Sequence, residues 1–156
     1  RTIMEALEIA GCHIITEAAG AKAEKSVLKA FTFDATDAPD LFPPLAALAA
    51  FCRGTSRITG VNRLKHKESN RAEAIAEVLG KMNIGVQITG DEMLVTGGRA
   101  GGARVSSHND HRIAMMAAVM ALTAEETVTI AGAEAVAKSY PRFFDDLALV
   151  GANICR

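Results

Sequence analysis

The chain has 156 residues, of which 49% are hydrophobic, and this is enough for one compact domain with a core of its own. Its 17 Lys and Arg residues balance 18 Asp and Glu residues, so a polybasic nucleic-acid surface and an acidic tail are both excluded. Aromatic residues make up 4% with no Trp, which leaves little material for a base-stacking platform.

Three similar segments divide the chain into repeated units. Each has the pattern of the end of an amphipathic helix followed by a strand. The last residues of the three segments are Ile14, Ile84 and Ile154. These isoleucines are 70 residues apart (84 − 14 and 154 − 84), as are Asp40 and Asp110, which each open an apolar segment. A fixed spacing of this size is typical of a repeated structural unit. We expect two copies and part of a third within a single domain that spans residues 1–156.

Within one unit the hydrophobic pattern alternates between that of a strand and that of a helix. In chain order it predicts a strand at 56–61, a surface helix at 71–82, a hairpin of strands at 86–89 and 93–96, a strand at 104–107, and a helix at 113–122. The last helix is apolar nearly all round and must be enclosed. The expected fold class is α/β (α+β), with one half-exposed and one enclosed helix in each unit.

Cysteine use and the length of the apolar stretches bear on location. The odd set Cys12, Cys52 and Cys155 shows neither disulfide-framework nor zinc-site spacing, and this favours a reducing cytoplasm. Apolar stretches reach about a dozen residues, whereas a membrane span needs ~20. The chain opens on an arginine without a signal-peptide pattern, so we expect a cytoplasmic fragment of a larger protein.

Charged residues cluster where helices are expected to begin, at 37–40, 65–71, 108–112 and 138–141. The acids there have a simple structural explanation as helix caps. The bases do not, because a helix N-terminus carries positive dipole and disfavours cations unless an anion is also bound. The clusters therefore indicate binding of anionic groups.

The segment 63–71 is the densest of these clusters, with five formal positive charges if His66 is counted. It has no interleaved aromatic residue, which disfavours nucleic-acid binding, and His66 is most simply a surface residue. As a pocket for phosphate and carboxylate, the segment supplies the forked guanidinium of Arg71, the point charge of Lys67, and a proton-exchanging carboxyl group in Glu68.

Three motifs in this sequence resemble signatures of the 5-enolpyruvylshikimate-3-phosphate synthase family. They are Lys-Glu-Ser-Asn-Arg at 67–71, Asn-Asp-His-Arg-Ile-Ala-Met at 109–115, and Lys-Ser-Tyr-Pro-Arg-Phe-Phe at 138–144. They occur in the family's order, over a chain that matches its C-terminal third. The family's glycine-rich N-terminal segment with its lysine is absent.

The resemblance implies one globule of a two-globule enzyme, each globule built from three βαβαββ units, with the active site in the cleft between them. The implied reaction transfers the enolpyruvyl group of phosphoenolpyruvate to the 5-hydroxyl of shikimate 3-phosphate, on the route to chorismate and the aromatic amino acids, without a metal or organic cofactor. The implied partners are these two substrates and the rest of the enzyme, with no nucleic acid and no membrane. The full-length enzyme is implied to be a monomer.

Site roles follow from the resemblance residue by residue. Asp40 matches the favoured base beside the target hydroxyl, Glu68 matches the donor of a proton to the methylene carbon of phosphoenolpyruvate, and Lys67 matches a lysine near the intermediate. The substrate-binding set is Arg71, Arg112, Lys138, Arg63, Asp110 and His111. Arg63 stands where the family often has Asn, which leaves its contact open, and His111 serves either the substrate or the orientation of its loop.

Two other readings of the sequence remain open. UDP-N-acetylglucosamine enolpyruvyl transferase shares the implied architecture, although its local motifs differ, and a non-catalytic repeat domain that binds a partner would also show the repeat. Since the resemblance places the opposing wall of the cleft outside this chain, we expect the chain alone to fold but to lack transferase activity.

Overall fold

A computed structural model describes residues 2–18, 20–24, 26–65 and 69–155. Within these ranges the helices are α1 (Ile3–Ile9), α2 (Phe42–Phe51), α3 (Arg71–Lys81), α4 (His111–Ala121) and α5 (Phe143–Leu149), with 3₁₀ turns at Pro39–Leu41, Val61–Leu64 and Ala133–Lys138. The strands are β1 (His13–Glu17), β2 (Gly20–Glu24), β3 (Thr32–Asp34), β4 (Thr55–Thr59), β5 (Gly85–Thr89), β6 (Glu92–Thr96), β7 (Ala103–Ser106) and β8 (Val128–Ala131).

The element order contains one full βαβαββ unit, formed by β3, α2, β4, α3, β5 and β6. Its strands form a sheet in the order β3-β4-β6-β5, in which β3 and β4 are parallel and the other neighbours are antiparallel. The elements α1, β1 and β2 precede it in the order that ends such a unit, and β7, α4, β8 and α5 follow in the order that begins one. The expected α+β class with repeated βαβαββ units is confirmed.

Helices α2 and α4 pack against each other in the core. Each follows one strand of a parallel pair, β3 with β4 and β7 with β8, and most of the residues of both helices are buried. Helix α3 is different, because it buries a stripe that includes Ile75, Val78 and Leu79 and exposes its other face. This is the enclosed and half-exposed pairing that the sequence predicts. No described helix is long and apolar enough to cross a membrane.

Several predicted boundaries were wrong. The strand expected at 56–61 ends at Thr59, because Gly60 has a φ of 104° and turns the chain into the 3₁₀ turn that follows. Asp40 lies inside a 3₁₀ turn and does not cap α2. Lys138 ends a 3₁₀ turn and does not begin a helix. After α5 no strand forms through Cys155, so the segment that closes on Ile154 does not run into a strand as predicted.

Candidate active site

The start of α4 is organised by Asp110. This residue caps the helix, since its Oδ1 accepts a hydrogen bond of 2.9 Å from the backbone nitrogen of Arg112. Its side chain is wholly buried. A buried carboxylate is costly unless it is paired and hydrogen-bonded, so Asp110 needs more than the cap.

Arg71 supplies that pairing from the first turn of α3. Its Nε donates to Asp110 Oδ2 at 2.9 Å, and its Nη1 donates to Asp40 Oδ1 at 2.8 Å. Ser69 adds a hydroxyl that donates to Asp110 Oδ2 at 3.3 Å. The Arg71 side chain is 0% exposed, and the two carboxylates offset the cost of burying its charge.

Asp40 lies at the outer side of this arrangement, and its side chain is 49% exposed. Arg71 donates to Oδ1, and the Nη2 of Arg112 donates to Oδ2 at 3.2 Å. Both oxygens of an accessible carboxylate therefore accept from guanidinium groups, which stabilise its negative charge. Arg112 is itself 36% exposed, while its Nε is buried without a hydrogen-bond partner.

Lys138 reaches the same helix start from the 3₁₀ turn that packs against α4. Its Nζ donates to the backbone carbonyl of Asn109 at 2.6 Å and to the Asn109 side-chain oxygen at 2.8 Å. The ammonium is therefore held beside the residue that precedes the cap of α4. The structure brings together five of the predicted residues: Asp40, Arg71, Asp110, Arg112 and Lys138.

The other predicted residues are less engaged or fall outside the described ranges. His111 is the first residue of α4 and is 8% exposed, with its Nδ1 buried and unpartnered. Arg63 is exposed in the 3₁₀ turn Val61–Leu64, which packs against the turn that carries Asp40. Lys67, Glu68 and His66 lie outside the described residues.

The sequence pattern correctly predicted cations at the starts of α3 and α4 but did not identify their partners. It required an external anion for Arg71 and Arg112, whereas the protein supplies the carboxylates of Asp40 and Asp110. The contact expected between Arg71 and an anionic substrate stays a prediction, and in this structure protein groups enclose its guanidinium.

The sequence pattern assigned no role to three polar residues of the site. Ser69 and Asn109 lie within the motif segments, and this position could have identified them as site residues. Glu77 carried no signal, and it pairs with His108 from α3, its Oε2 lying 2.9 Å from the His108 Nε2. Across the part of the chain that the structure describes, no group of three or more His, Cys, Asp and Glu side chains is placed to hold a metal ion.

The arrangement suits two kinds of chemistry. A half-exposed carboxylate can exchange a proton with a substrate hydroxyl, and the neighbouring Arg112 and Lys138 can bind phosphate or carboxylate oxygens. The buried Arg71 and Asp110 fix the geometry behind them. Residues 1–147 match the family model described as EPSP synthase (3-phosphoshikimate 1-carboxyvinyltransferase). The chain belongs to the EPSP synthase family.

Relatives named 3-phosphoshikimate 1-carboxyvinyltransferase support that membership. The protein of Aeropyrum pernix is 39% identical over 155 residues, covering 99% of this chain and 36% of its own length. That of Clostridium acetobutylicum is 42% identical over 132 residues, covering 84% of this chain and 31% of its own. The chain thus spans about a third of the length of the curated relatives it matches.

Solved structures show the same fold. An EPSP synthase from Acinetobacter baumannii superposes with a TM-score of 0.81 at 29% identity, over 96% of this chain and 38% of that one. The enolpyruvyl transferase NikO from Streptomyces tendae gives a TM-score of 0.76 at 20% identity, over 97% of this chain and 35% of that one. The likeness to NikO concerns the fold alone.

Proposed function

We propose that this chain supplies one wall of a 3-phosphoshikimate 1-carboxyvinyltransferase site, which transfers the enolpyruvyl group of phosphoenolpyruvate to the 5-hydroxyl of shikimate 3-phosphate. The observation that carries the proposal is the accessible carboxylate of Asp40 between Arg71 and Arg112. Membership of the EPSP synthase family supports it.

Asp40 is the proposed base. As it takes the proton of the 5-hydroxyl, the hydroxyl oxygen bonds to C2 of phosphoenolpyruvate, and Glu68 donates a proton to C3. Loss of phosphate from the tetrahedral adduct, with removal of a proton from C3, gives the enol ether and inorganic phosphate. The exposure of Asp40 supports this role, because a base must reach its substrate.

Arg112 and Lys138 are the proposed ligands of phosphoenolpyruvate's anionic groups. Lys67 is the proposed lysine near the intermediate, and Arg63 and His111 are further proposed substrate contacts. Arg112 is partly exposed, and the Lys138 ammonium is held at the same helix start. Positive groups fixed in place before the reaction stabilise the charge that develops in the transition state. Arg71, enclosed in this structure, would first support Asp40 and contact substrate only after rearrangement.

A hybrid enzyme tests the assignment of the base. The chain would replace the matching third of the Aeropyrum pernix relative, and phosphate release would be followed with both substrates. Asp40→Asn and Glu68→Gln should each lower kcat by roughly 10² or more, with substrate affinity within a few fold, since general acid–base catalysis contributes about 10²–10⁴. Glu73→Gln, on the exposed face of α3, is the control. A kcat that matches the control would reject the roles.

The same hybrid tests the anion contacts. Arg112→Ala should raise the KM for phosphoenolpyruvate and lower kcat, because the contact is made in both the ground and the transition state. The loss should be about 2–5 kcal/mol in kcat/KM. In a separate binding measurement, shikimate 3-phosphate should raise the hybrid's melting temperature and UDP-N-acetylglucosamine should not. The reverse preference would favour the rival transferase.

A further inference from the structure

Residues 108 and 109 form an unusual backbone segment immediately before the cap of α4. His108 has a φ of 50° and Asn109 a φ of 58°, so two successive residues other than glycine occupy the left-handed region. Such conformations persist only where the surroundings enforce them. Here the hydroxyls of Ser106 and Ser107 accept from the backbone nitrogens of His108 and Asn109, both at 3.1 Å.

This conformation lets Asn109 present two oxygen atoms to one cation. Its carbonyl and its side-chain amide oxygen accept from the Lys138 Nζ at 2.6 and 2.8 Å. An ammonium group has three N–H donors, so two are directed at Asn109 and one is left for another acceptor. Both oxygens are formally neutral, and the positive charge of Lys138 is therefore retained.

We propose that Asn109 is a positioning residue that holds the ammonium of Lys138 so that its third N–H is directed at an anionic group of the substrate. The inference rests on the proposed function for the role of that anion. An exposed lysine side chain loses conformational entropy when it is ordered. The two hydrogen bonds to Asn109 order Lys138 before the ligand binds, so ligand binding does not bear that entropic cost. A carboxylate in place of the amide would hold the ammonium too, but it would neutralise the charge that attracts the anion.

The direct test is the NMR signal of the Lys138 ammonium in the 156-residue chain. A hydrogen-bonded NH3⁺ group exchanges slowly enough to give a ¹H–¹⁵N signal, assigned by its loss in Lys138→Met. Asn109→Gly keeps the carbonyl and permits the positive φ while removing the amide oxygen, so the signal should broaden or vanish. Asn83→Gly is the matched control, because Asn83 is also an asparagine with a positive φ, 61°. It is exposed and lies just after the C-terminal end of α3. An unchanged signal in Asn109→Gly would overturn the proposal.

Phosphoenolpyruvate titrations of the same variants, introduced into the hybrid enzyme, test the consequence for binding. Relative to Asn83→Gly, Asn109→Gly should weaken binding about 3- to 10-fold, the range expected for one net hydrogen bond. Asn109→Asp should also weaken it, whereas a purely structural role predicts that Asp restores it. Full restoration by Asp, or equal affinity of Asn109→Gly and its control, would overturn the proposal.

A further variant separates this proposal from the proposed function. If the Lys138→Met hybrid binds phosphoenolpyruvate as tightly as the unmodified hybrid, Lys138 does not bind the anion, and both its assigned role and the use of its third N–H are rejected. If Lys138→Met weakens binding and Asn109→Gly does not, the anion role stands and the positioning role alone is rejected.

Discussion

The chain contains two parallel strand–helix–strand crossovers, β3-α2-β4 and β7-α4-β8, that start their helices differently. Asp110 is buried and caps α4, whereas Asp40 is half-exposed in a 3₁₀ turn and leaves α2 uncapped by a side chain. Both acids accept hydrogen bonds from the same buried Arg71. The repeat thus brings two acids to one arginine and gives them different environments.

The difference shows that acids at corresponding positions of a repeated fold can differ in burial and in hydrogen-bond partners. A carboxylate that caps a helix and has no exposed surface can fix a guanidinium, and the contact expected between Asp110 and substrate stays a prediction. The carboxylate in the turn is reachable, because the Asp40 side chain is 49% exposed. Asp110 is therefore the enclosed member of the pair, and Asp40 is the accessible member that we propose for proton transfer.

The largest expected effect comes from removing the arginine that the two acids share. Arg71→Met should destabilise the chain by about 3–5 kcal/mol, because it leaves Asp110 buried without a countercharge. Urea unfolding of the 156-residue chain measures this. Adding Asp110→Leu to Arg71→Met should restore part of the loss, since the uncompensated charge is then gone. A double variant no more stable than the single one would contradict the charge argument.

The comparison itself is tested by neutralising each acid in turn. Asp110→Asn should cost about 2–3 kcal/mol, the range for a buried hydrogen bond to a charged group, although Asn still caps α4. Asp40→Asn should cost less than about 1 kcal/mol, because its side chain is half-exposed and its pairs are partly screened. Equal losses in urea unfolding would show that the two environments do not differ as the structure indicates.

The two glycines that follow β4 and β8 give a smaller contrast. Gly60 and Gly132 both have positive φ, 104° and 72°. A Cβ at Gly60 would lie 2.7 Å from the backbone nitrogen of Thr36, whereas one at Gly132 would lie 2.6 Å from the Oγ of Ser107. A hydroxyl can rotate away and a backbone cannot, so Gly60→Ala should lower the melting temperature more than Gly132→Ala. The opposite ranking in thermal unfolding would contradict this.

The smallest effect concerns Glu77, which ties α3 to the loop before α4. Its hydrogen bond with Lys81 and its proximity to His108 hold the pKa of the carboxyl below its usual value of 4.5. A depressed pKa adds stability that is present above the ordinary value and is lost as pH falls through the folded value. Glu77→Gln should therefore cost a few tenths of a kcal/mol at pH 7, because the group is partly exposed, and less as the pH falls below the ordinary value. Glu73→Gln is the control, and a loss from Glu77→Gln that does not shrink as the pH is lowered would contradict the charge argument.

Local features of the fold could be predicted because they depend on residues close in sequence. The stripe of Ile75, Val78 and Leu79 predicts α3, the turn residues at 90–91 predict the hairpin, and Asp110 predicts the start of α4 within a residue. Asp40 failed as a predicted cap because it lies within the 3₁₀ turn Pro39–Leu41, which passes into α2 without a side-chain cap.

The partners of the charged residues could not be predicted, because they lie far apart in the chain. Arg71 meets acids 31 and 39 residues away, and Arg112 meets one 72 residues away. Sequence patterns give the kind of group at each helix start but not which acid faces which base. The hydrogen bonds between Lys138 and Asn109 could not be predicted for a second reason. They depend on a left-handed backbone at a residue that is not glycine.

The ion pairs around Asp40 and Asp110 also differ in how strongly dissolved salt screens them. Both partners of the Arg71–Asp110 pair are 0% exposed, whereas Arg112 and Asp40 are 36% and 49% exposed. The Debye length falls from ~8 Å at 0.15 M salt to ~3 Å at 1 M, and it acts chiefly on exposed charges. Concentrated salt should therefore loosen Arg112 from Asp40 while Arg71 stays bound to Asp110, so that the accessible half of the cluster responds to the ionic medium and the buried half does not.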